Sequence, residues 1–441
     1  MYIAKKRNNH KNVLKVLTVT HIECILSVKQ HNECVKKERI MSEFSQMSLF
    51  DCLYENYVVK KPIRLIELFA GYGSQALSLK YLNAKFEHYR ICEFSINSIQ
   101  CYNDLHIRDY KDYSKDKTKN EIINCLLNYG ISLDYKNPIN EFQLCSKSEN
   151  YLRKIYNNIV ATHNLVDISK VKACDLQIVD TNKFDYIVTY SFPCQDLSNF
   201  GKHCGMKKNS NTRSSLLWQV ERILEECVEL PQILLMENVP EVINQNNIKD
   251  FNLWELKLEQ LGYKNYVRVL NAIDYGIAQN RSRCFMISIL GNYSYQFPTR
   301  INLEKKLTDL LDLNQNNDLF LTDKNIESIK KWKAFNKPLE VVESTMKKNI
   351  SPTLTTRSGA NCSSMILVKQ NQKLRYLSCK ECFKLMGMKK NDFQNIEINQ
   401  TKENLYHLAG DSIVTTVLMA IFGKMLNVDY KEKIKEVITN L

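Results

Sequence analysis

From Ile63 onward, apolar runs of strand length alternate with segments of helical periodicity, and this alternation restricts the chain to an α/β fold. Apolar residues between Leu216 and Cys227 recur at helical spacing, and Pro231 closes that predicted helix. Such alternation is typical of βαβ units and predicts a doubly wound, Rossmann-like parallel sheet. The predicted strands are Ile63–Phe69, Tyr89–Cys92, Phe184–Tyr190, Ile233–Met236, Val267–Leu270 and Cys284–Ile289.

The length of 441 residues exceeds what one hydrophobic core usually serves, so a large domain and a smaller partner are expected. Residues 1–60 contain no glycine and are interpreted as an N-terminal extension, either disordered or the product of a start codon assigned too early. The remaining predicted parts are a catalytic domain at 61–290 with a polar, weakly periodic insertion at about 104–160, a smaller domain at 291–373 and a C-terminal segment at 374–441 that returns to the catalytic domain.

The amino-acid composition indicates which kind of partner and which cellular environment to expect. The 61 Lys+Arg and 48 Asp+Glu residues give a formal charge of +13, which favours a polyanionic partner. The 15 scattered cysteines indicate free thiols in a reducing cytoplasm, and Cys379 and Cys382 are interpreted as part of a helix face, with no metal site. A mean hydropathy of −0.35 and no long apolar run exclude a membrane-spanning protein.

A glycine turn follows the first strand. Phe69 is followed by Gly71 and Gly73, which let the backbone turn tightly and approach a nucleoside-like ligand. Glu93 ends the second predicted strand, where a carboxylate can accept hydrogen bonds from ribose hydroxyls. These residues predict a nucleoside cofactor without specifying which one, and a nicotinamide oxidoreductase stays open at this point.

Reactive side chains follow the third and fourth strands. Cys194 stands after Pro193 at the carboxyl end of a buried strand, where open α/β sheets bind their ligands, and the proline stiffens its loop. Glu237 ends the next strand and can act as an acid toward a ring nitrogen. Arg281 and Arg283 alternate along an extended segment, so their guanidinium groups are expected to point together.

In this order and spacing, the motifs resemble those of the C5-cytosine DNA methyltransferase family. The matching segments are Phe69–Gly73, Pro193–Gln195, Glu237–Val239, Gln279–Arg283, Arg375–Gly387 and Ala409–Val414. The resemblance covers about Ile63 to Leu426 and implies the fold of S-adenosylmethionine-dependent methyltransferases, with a smaller target-recognition domain at 291–373. It implies a cofactor pocket lined by Phe69, Gly71, Gly73, Glu93, Phe94, Asp175, Leu176, Pro193, Leu216, Asp411 and Ile413. At position 411 the family more often has asparagine.

The resemblance also implies the reaction. Cys194 is expected to attack C6 of a cytosine flipped out of a short, specific duplex DNA sequence, with Glu237 acting on N3 and Arg281 and Arg283 holding the nucleotide. The methyl group comes from S-adenosylmethionine, without a metal. The enzyme is expected to be a monomer of the bacterial cytoplasm and nucleoid, of the restriction–modification type but an orphan without an obligatory restriction endonuclease. The alternatives are a tRNA cytosine-5 methyltransferase of the same fold and a catalytically silent DNA-binding protein.

Overall fold

The computed structural model describes residues 54–197, 205–208, 210, 212–302, 305–312, 319–332, 340–343, 350–356 and 366–441. The predicted extension at 1–60 lies almost entirely outside these residues. Asn56–Leu441 forms one compact unit. The strands are β1 Ile63–Leu68, β2 Phe86–Cys92, β3 Asp185–Tyr190, β4 Ile233–Asn238, β5 Tyr263–Asn271, β6 Gln279–Asn280, β7 Ser282–Leu290, β8 Glu340–Glu343, β9 Ser351–Pro352, β10 Ile366–Gln370 and β11 Lys373–Arg375.

The α-helices are α1 Ser74–Tyr81, α2 Ile96–Tyr102, α3 Lys119–Tyr129, α4 Glu141–Cys145, α5 Glu149–Ala161, α6 Ala173–Leu176, α7 Leu217–Glu226, α8 Ile248–Gln260, α9 Leu307–Leu310, α10 Asp323–Trp332, α11 Cys379–Leu385, α12 Lys390–Glu397, α13 Lys402–Asp411, α14 Thr415–Leu426 and α15 Tyr430–Thr439. Short helical turns also occur, among them Arg213–Leu216, which leads into α7.

The six predicted strands form one central sheet in the order β2-β1-β3-β4-β7-β5, which confirms the α/β fold. Strands β1 to β4 run parallel, while β7 runs antiparallel to both β4 and β5. The parallel arrangement expected from the βαβ alternation therefore holds for β1 to β4 but not for β7. The reason is the link at residues 272–281, which is shorter than the dozen or more residues that a parallel crossover needs.

Hydrophobic clusters cover both faces of the sheet. Leu65 and Ile66, adjacent in β1, belong to opposite clusters because successive strand side chains point to opposite faces. Helix α7 contributes Val220 to one cluster. Helix α14 is apolar almost throughout and packs against α1, where the Ser78 hydroxyl donates to the Thr415 carbonyl at 3.1 Å.

The order of the strands reverses at β1, which has β2 on one side and β3 on the other. In open α/β sheets such a reversal opens a crevice at the carboxyl ends of the two strands, here β1 and β3.

The segment at 104–160 is more regular than expected. It contains α3, α4 and α5 and has its own buried cluster with α2, including Ile122, Leu126, Leu152, Ile155 and Ile159. These apolar residues do recur at helical spacing, but the many Lys and Asn residues between them mask the period in composition. The expectation of a segment with little periodicity is therefore wrong.

The described part of 291–373 contains α9, α10 and a small sheet in the order β11-β10-β8, while β9 pairs with β6. Arg375, at the end of β11, is fully buried and forms two 2.9 Å contacts with the carboxylate of Glu381 in α11. Its guanidinium also donates to the carbonyls of Tyr376 and Asp312. One cation thus connects the small sheet to the C-terminal segment.

Cys379 and Cys382 lie buried on α11, in agreement with the helix-face interpretation. Among the described residues no single helix is long and apolar enough to cross a membrane, although the bent pair α13 and α14 meets that test together by length and composition.

We expect Arg375→Ala to lower the free energy of unfolding by about 3–5 kcal/mol, because it leaves the buried Glu381 carboxylate without its cation. Urea denaturation followed by circular dichroism measures the change. Lys183→Ala is the control, since its ion pair with Asp180 is exposed and is worth less than about 1 kcal/mol. Equal losses in the two variants would contradict this account of Arg375.

Candidate active site

The two glycines of the turn after β1 have different surroundings. Phe69, Gly71 and Gly73 have left-handed φ angles of 59°, 56° and 83°. A Cβ on Gly73 would lie 2.5 Å from Nε2 of His106, so this glycine is required by packing. A Cβ on Gly71 would have nothing within 4 Å. The turn therefore presents open space beside Gly71, where a ligand can approach the backbone.

Glu93 lies next to this space. Its carboxylate accepts hydrogen bonds at 2.8 Å from the backbone amides of Gly71 and Ser95. Asn164 fixes the Glu93 backbone, with its side chain accepting from the amide at 3.0 Å and donating to the carbonyl at 2.8 Å. Burial raises the pKa of Glu93 to about 7, against the effect of these amides. Phe94 follows and packs against the cluster of the insertion.

Asp175 and Leu176, which were predicted to line the cofactor pocket, make contacts within the protein. The Asp175 carboxylate accepts the amide of Lys172 at 2.8 Å and caps α6, and Leu176 is buried in the core. Glu93 is instead bonded to Asn164, and Asp167, three residues later, lies close enough to Cys92 to raise the pKa of that thiol, after burial and Glu93. Asp167 is thus a candidate that the sequence analysis missed. The sequence feature that could have identified it is an acidic residue directly after the short apolar run Leu165-Val166.

The loop that carries Cys194 is held from several sides. The Phe192 carbonyl accepts from Asn238 at 3.0 Å, and the Pro193 carbonyl accepts from the Ser214 hydroxyl at 2.6 Å. Cys194 and Leu216, which stands just before α7, pack partly buried against the same cluster. The thiol is therefore presented from a fixed backbone at the crevice of the sheet. Residues 198–204 lie outside the described part.

The two arginines near Glu237 have different partners: Arg283 pairs with the Glu237 carboxylate, and Arg281 contacts backbone carbonyls. Arg283 Nε lies 3.1 Å from Glu237 Oε1, both side chains being mostly buried. Arg281 is buried and donates to three carbonyls: Leu354 at 2.9 Å, Gly410 at 3.0 Å and Ser412 at 2.7 Å. The two guanidinium groups still share one electrostatic environment, since both lower the pKa of Glu237, which burial raises.

Asp411 ends α13, and Ile413 follows it in the core. The helix end approaches the chain closely, because a Cβ on Gly410 would lie 2.1 Å from the Thr355 carbonyl carbon. The charge of Asp411 raises the pKa values of both Glu93 and Cys194. Asp411 thus lies close enough to both Glu93 and Cys194 to act on them.

Burial raises the pKa of the Cys194 thiol to about 11. Among the charges that contribute to this value, those of Asp411 and Glu237 raise the pKa, and those of Arg283 and Arg281 lower it. The thiolate is therefore scarce at neutral pH, and its population depends on the charges around it. A proton on Glu237 would remove one of the two raising charges.

A profile of the C-5 cytosine-specific DNA methylases matches residues 128–427. The chain belongs to this family. It is 35% identical over 390 residues to the orphan methyltransferase M.SssI of Spiroplasma monobiae, covering 83% of this chain and 97% of that one. It is 33% identical over 368 residues to the type II methyltransferase M2.ScrFI of Lactococcus lactis subsp. cremoris, covering 82% and 99%.

The fold agrees with this assignment. The structure of the S. pombe Dnmt2 methyltransferase matches with a TM-score of 0.57 at 16% identity, covering 82% of this chain and 98% of that one. The Entamoeba histolytica methyltransferase EhMeth matches with the same TM-score of 0.57 at 17% identity, covering 83% and 99%. The predicted family and enzyme class, a DNA (cytosine-5) methyltransferase, are confirmed, and the nicotinamide oxidoreductase is excluded.

We expect Asp411→Asn to speed alkylation of Cys194 by iodoacetamide at pH 8 about threefold to tenfold. Removing a negative charge lowers the pKa of the thiol, and one pKa unit changes the thiolate population tenfold. Mass spectrometry of the Cys194 peptide measures the rate, and Cys194→Ser confirms the assignment. A slower rate in Asp411→Asn would contradict the electrostatic account.

We expect Arg281→Met to cost about 3 kcal/mol of stability with only a weak dependence on pH between 5 and 8, because its carbonyl partners do not titrate and it lowers the pKa of Glu237 less than Arg283 does. Arg283→Met behaves differently, since it raises the pKa of the buried Glu237 further. A carboxyl whose pKa is raised by folding favours the folded state at low pH and loses this contribution as the pH rises through the folded pKa. The stability deficit of Arg283→Met should therefore grow from pH 5 to pH 8. Urea titrations across this range test both, and parallel pH profiles would contradict the division of roles.

Proposed function

We propose that this enzyme transfers the methyl group of S-adenosylmethionine to C5 of a cytosine turned out of duplex DNA, through a covalent bond between Cys194 and C6. The observation that carries the proposal is the position of Cys194 at the crevice of the sheet, together with the Glu237–Arg283 pair at the same edge. Catalysis needs a thiol near an acid that can reach the ring nitrogen of the same base.

The residues at the glycine turn fit the cofactor. The space beside Gly71 allows a ligand to approach the backbone, and the Glu93 carboxylate at this edge can accept hydrogen bonds from ribose hydroxyls. Phe69, Phe94, Pro193, Leu216 and Ile413 supply apolar surface, and Asp411 supplies a negative charge. When bound, S-adenosylmethionine supplies an electrophilic methyl group. Asp175 and Leu176 stay predictions, and Asp167 is proposed beside them.

The proton on Glu237 and the charge on Cys194 depend on each other. Burial favours a protonated Glu237, which can donate that proton to N3 of cytosine. The thiolate adds its electron pair to C6, forming the S–C6 bond and making C5 electron-rich. After methylation C5 releases its proton to a base, the S–C6 bond breaks with its electrons returning to sulfur, and the carboxyl group regains the N3 proton.

Arg283 is placed to keep the carboxyl group of Glu237 directed at the base, and its remaining donors suit the cytosine oxygen. Arg281 acts differently, because its carbonyl contacts make it a positioning residue for the site. Turning the base out of the duplex costs about a few kcal/mol, which contacts in the site must offset.

The substrate is duplex DNA with a short specific sequence read by the segment at 291–373. The formal charge of +13 supports phosphate binding. We propose that the enzyme acts as a monomer in the bacterial cytoplasm on the nucleoid, without an obligatory restriction endonuclease; the relative M.SssI is itself described as an orphan methyltransferase.

We expect bisulfite sequencing of DNA from expressing cells to show 5-methylcytosine in one recurrent short motif, and Cys194→Ala to abolish it. Cys174→Ala is the matched control, because Cys174 is a free, exposed cysteine on α6 and should leave methylation unchanged. Methylation by Cys194→Ala would exclude the covalent mechanism. Methyl transfer to tRNA but not to duplex DNA would instead favour the RNA-directed alternative.

A further inference from the structure

One loop of the insertion, residues 130–138, lies directly beside the proposed cofactor site. The Ser132 amide donates to the Phe94 carbonyl at 2.7 Å, and the Ile96 amide donates to the Ser132 carbonyl at 3.0 Å. These bonds attach the loop to the residues that follow Glu93. The insertion is therefore hydrogen-bonded to the strand end that carries the predicted ribose acceptor.

Tyr135, in this loop, has an unusual backbone. Its φ of 61° lies in the left-handed region, which is unfavourable for a bulky side chain and must be offset by surrounding contacts. One such contact comes from Arg213, whose Nη2 donates to the Tyr135 carbonyl at 2.7 Å. The Nη1 atom of the same guanidinium contacts the side chain of Gln195, the neighbour of Cys194. Arg213 thus connects the insertion to the cysteine loop.

The Tyr135 ring stacks on the imidazole of His407, with centroids 3.7 Å apart and planes 16° from parallel. His407 lies on α13, one turn before Asp411. The pKa of Tyr135 is raised to about 12, mainly by burial; the side chains of Asn97 and Ser95 lower it, and the charges of Glu93 and Asp411 raise it, so the phenol lies near both carboxylates. Nδ1 of His407 is buried and has no hydrogen-bond partner in the described part of the chain, which leaves a group for a ligand to satisfy.

We propose that Tyr135 and His407 form one wall of the S-adenosylmethionine site, so that the insertion is part of the cofactor site. The inference rests on the proposed function. S-adenosylmethionine carries a purine and a sulfonium cation. An aromatic ring beside it can stack on the purine or attract the sulfonium. Arg213 is the positioning residue that fixes the wall relative to the cysteine loop.

Isothermal titration calorimetry with S-adenosylmethionine and with S-adenosylhomocysteine tests the wall in the absence of DNA. Tyr135→Gly should raise the Kd about tenfold, the scale of one lost aromatic contact. Its melting temperature without ligand should not fall by more than a few degrees, because glycine tolerates the left-handed backbone. Tyr135→Phe keeps the ring and should stay within about threefold of the wild type. Tyr110→Ala removes a largely exposed tyrosine of the same insertion and serves as the matched control.

Weakening for both ligands supports a wall against the purine, and weakening for S-adenosylmethionine alone supports a wall against the sulfonium. A wild-type Kd for folded Tyr135→Gly overturns the inference and leaves the proposed function intact. If Tyr135→Gly does not fold, His407→Ala decides: a raised Kd supports the wall and an unchanged Kd overturns it. A wild-type protein that binds neither ligand and methylates no DNA overturns the proposed function, and this inference with it.

Discussion

The buried guanidinium of Arg281 holds together three backbone segments that are distant in sequence, and the geometry of the site depends on it. It donates to Leu354, which follows β9, and to Gly410 and Ser412 at the end of α13. Gln279, two residues earlier, accepts the Leu354 amide at 2.9 Å and donates to the Leu385 carbonyl. Carbonyl groups this deeply buried need donors, and a guanidinium supplies several in a fixed plane. The two side chains thus join the start of β7 to the smaller predicted domain and to the C-terminal segment that follows it.

This arrangement has an electrostatic consequence. Burying a cation without a full counter-charge is unfavourable, and the pKa of Arg281 falls to about 9 mainly through burial. The neighbouring Glu237, Asp411 and Cys194 counter this fall, since any negative charge on them favours the charged guanidinium. Asp411 raises the pKa values of Glu237 and Cys194, and Glu237 also raises that of Cys194, so a charge on Glu237 makes ionising the thiol harder. The charge on the thiol therefore depends on the proton on Glu237, as the proposed cycle of covalent attack and protonation requires.

Much of the fold could be predicted because it depends on local pattern. The six apolar runs predicted the six strands of the central sheet, and the spacing from Leu216 to Cys227 predicted α7. Strand direction at β7 was not predicted, since it depends on the length of a connection and not on the strand itself. The helices of the insertion were missed because their apolar residues are diluted by Lys and Asn.

The candidate site could be predicted from the sequence only where a reactive residue lies at the end of a strand. Cys194, Glu237 and Glu93 follow strands, so topology alone brings them to one edge of the sheet. The different tasks of Arg281 and Arg283 were not visible, because alternation fixes direction but not the partners that each side chain meets.

The contact of Tyr135 with His407 depends on a left-handed backbone and on a helix near the other end of the chain, and neither leaves a local signal in sequence. Glycine would occupy that conformation at lower cost, so the strain of a bulky residue there must be offset by its contacts. The contacts with Arg213 and His407 offset the strain, and they connect the insertion to the cysteine loop and to α13.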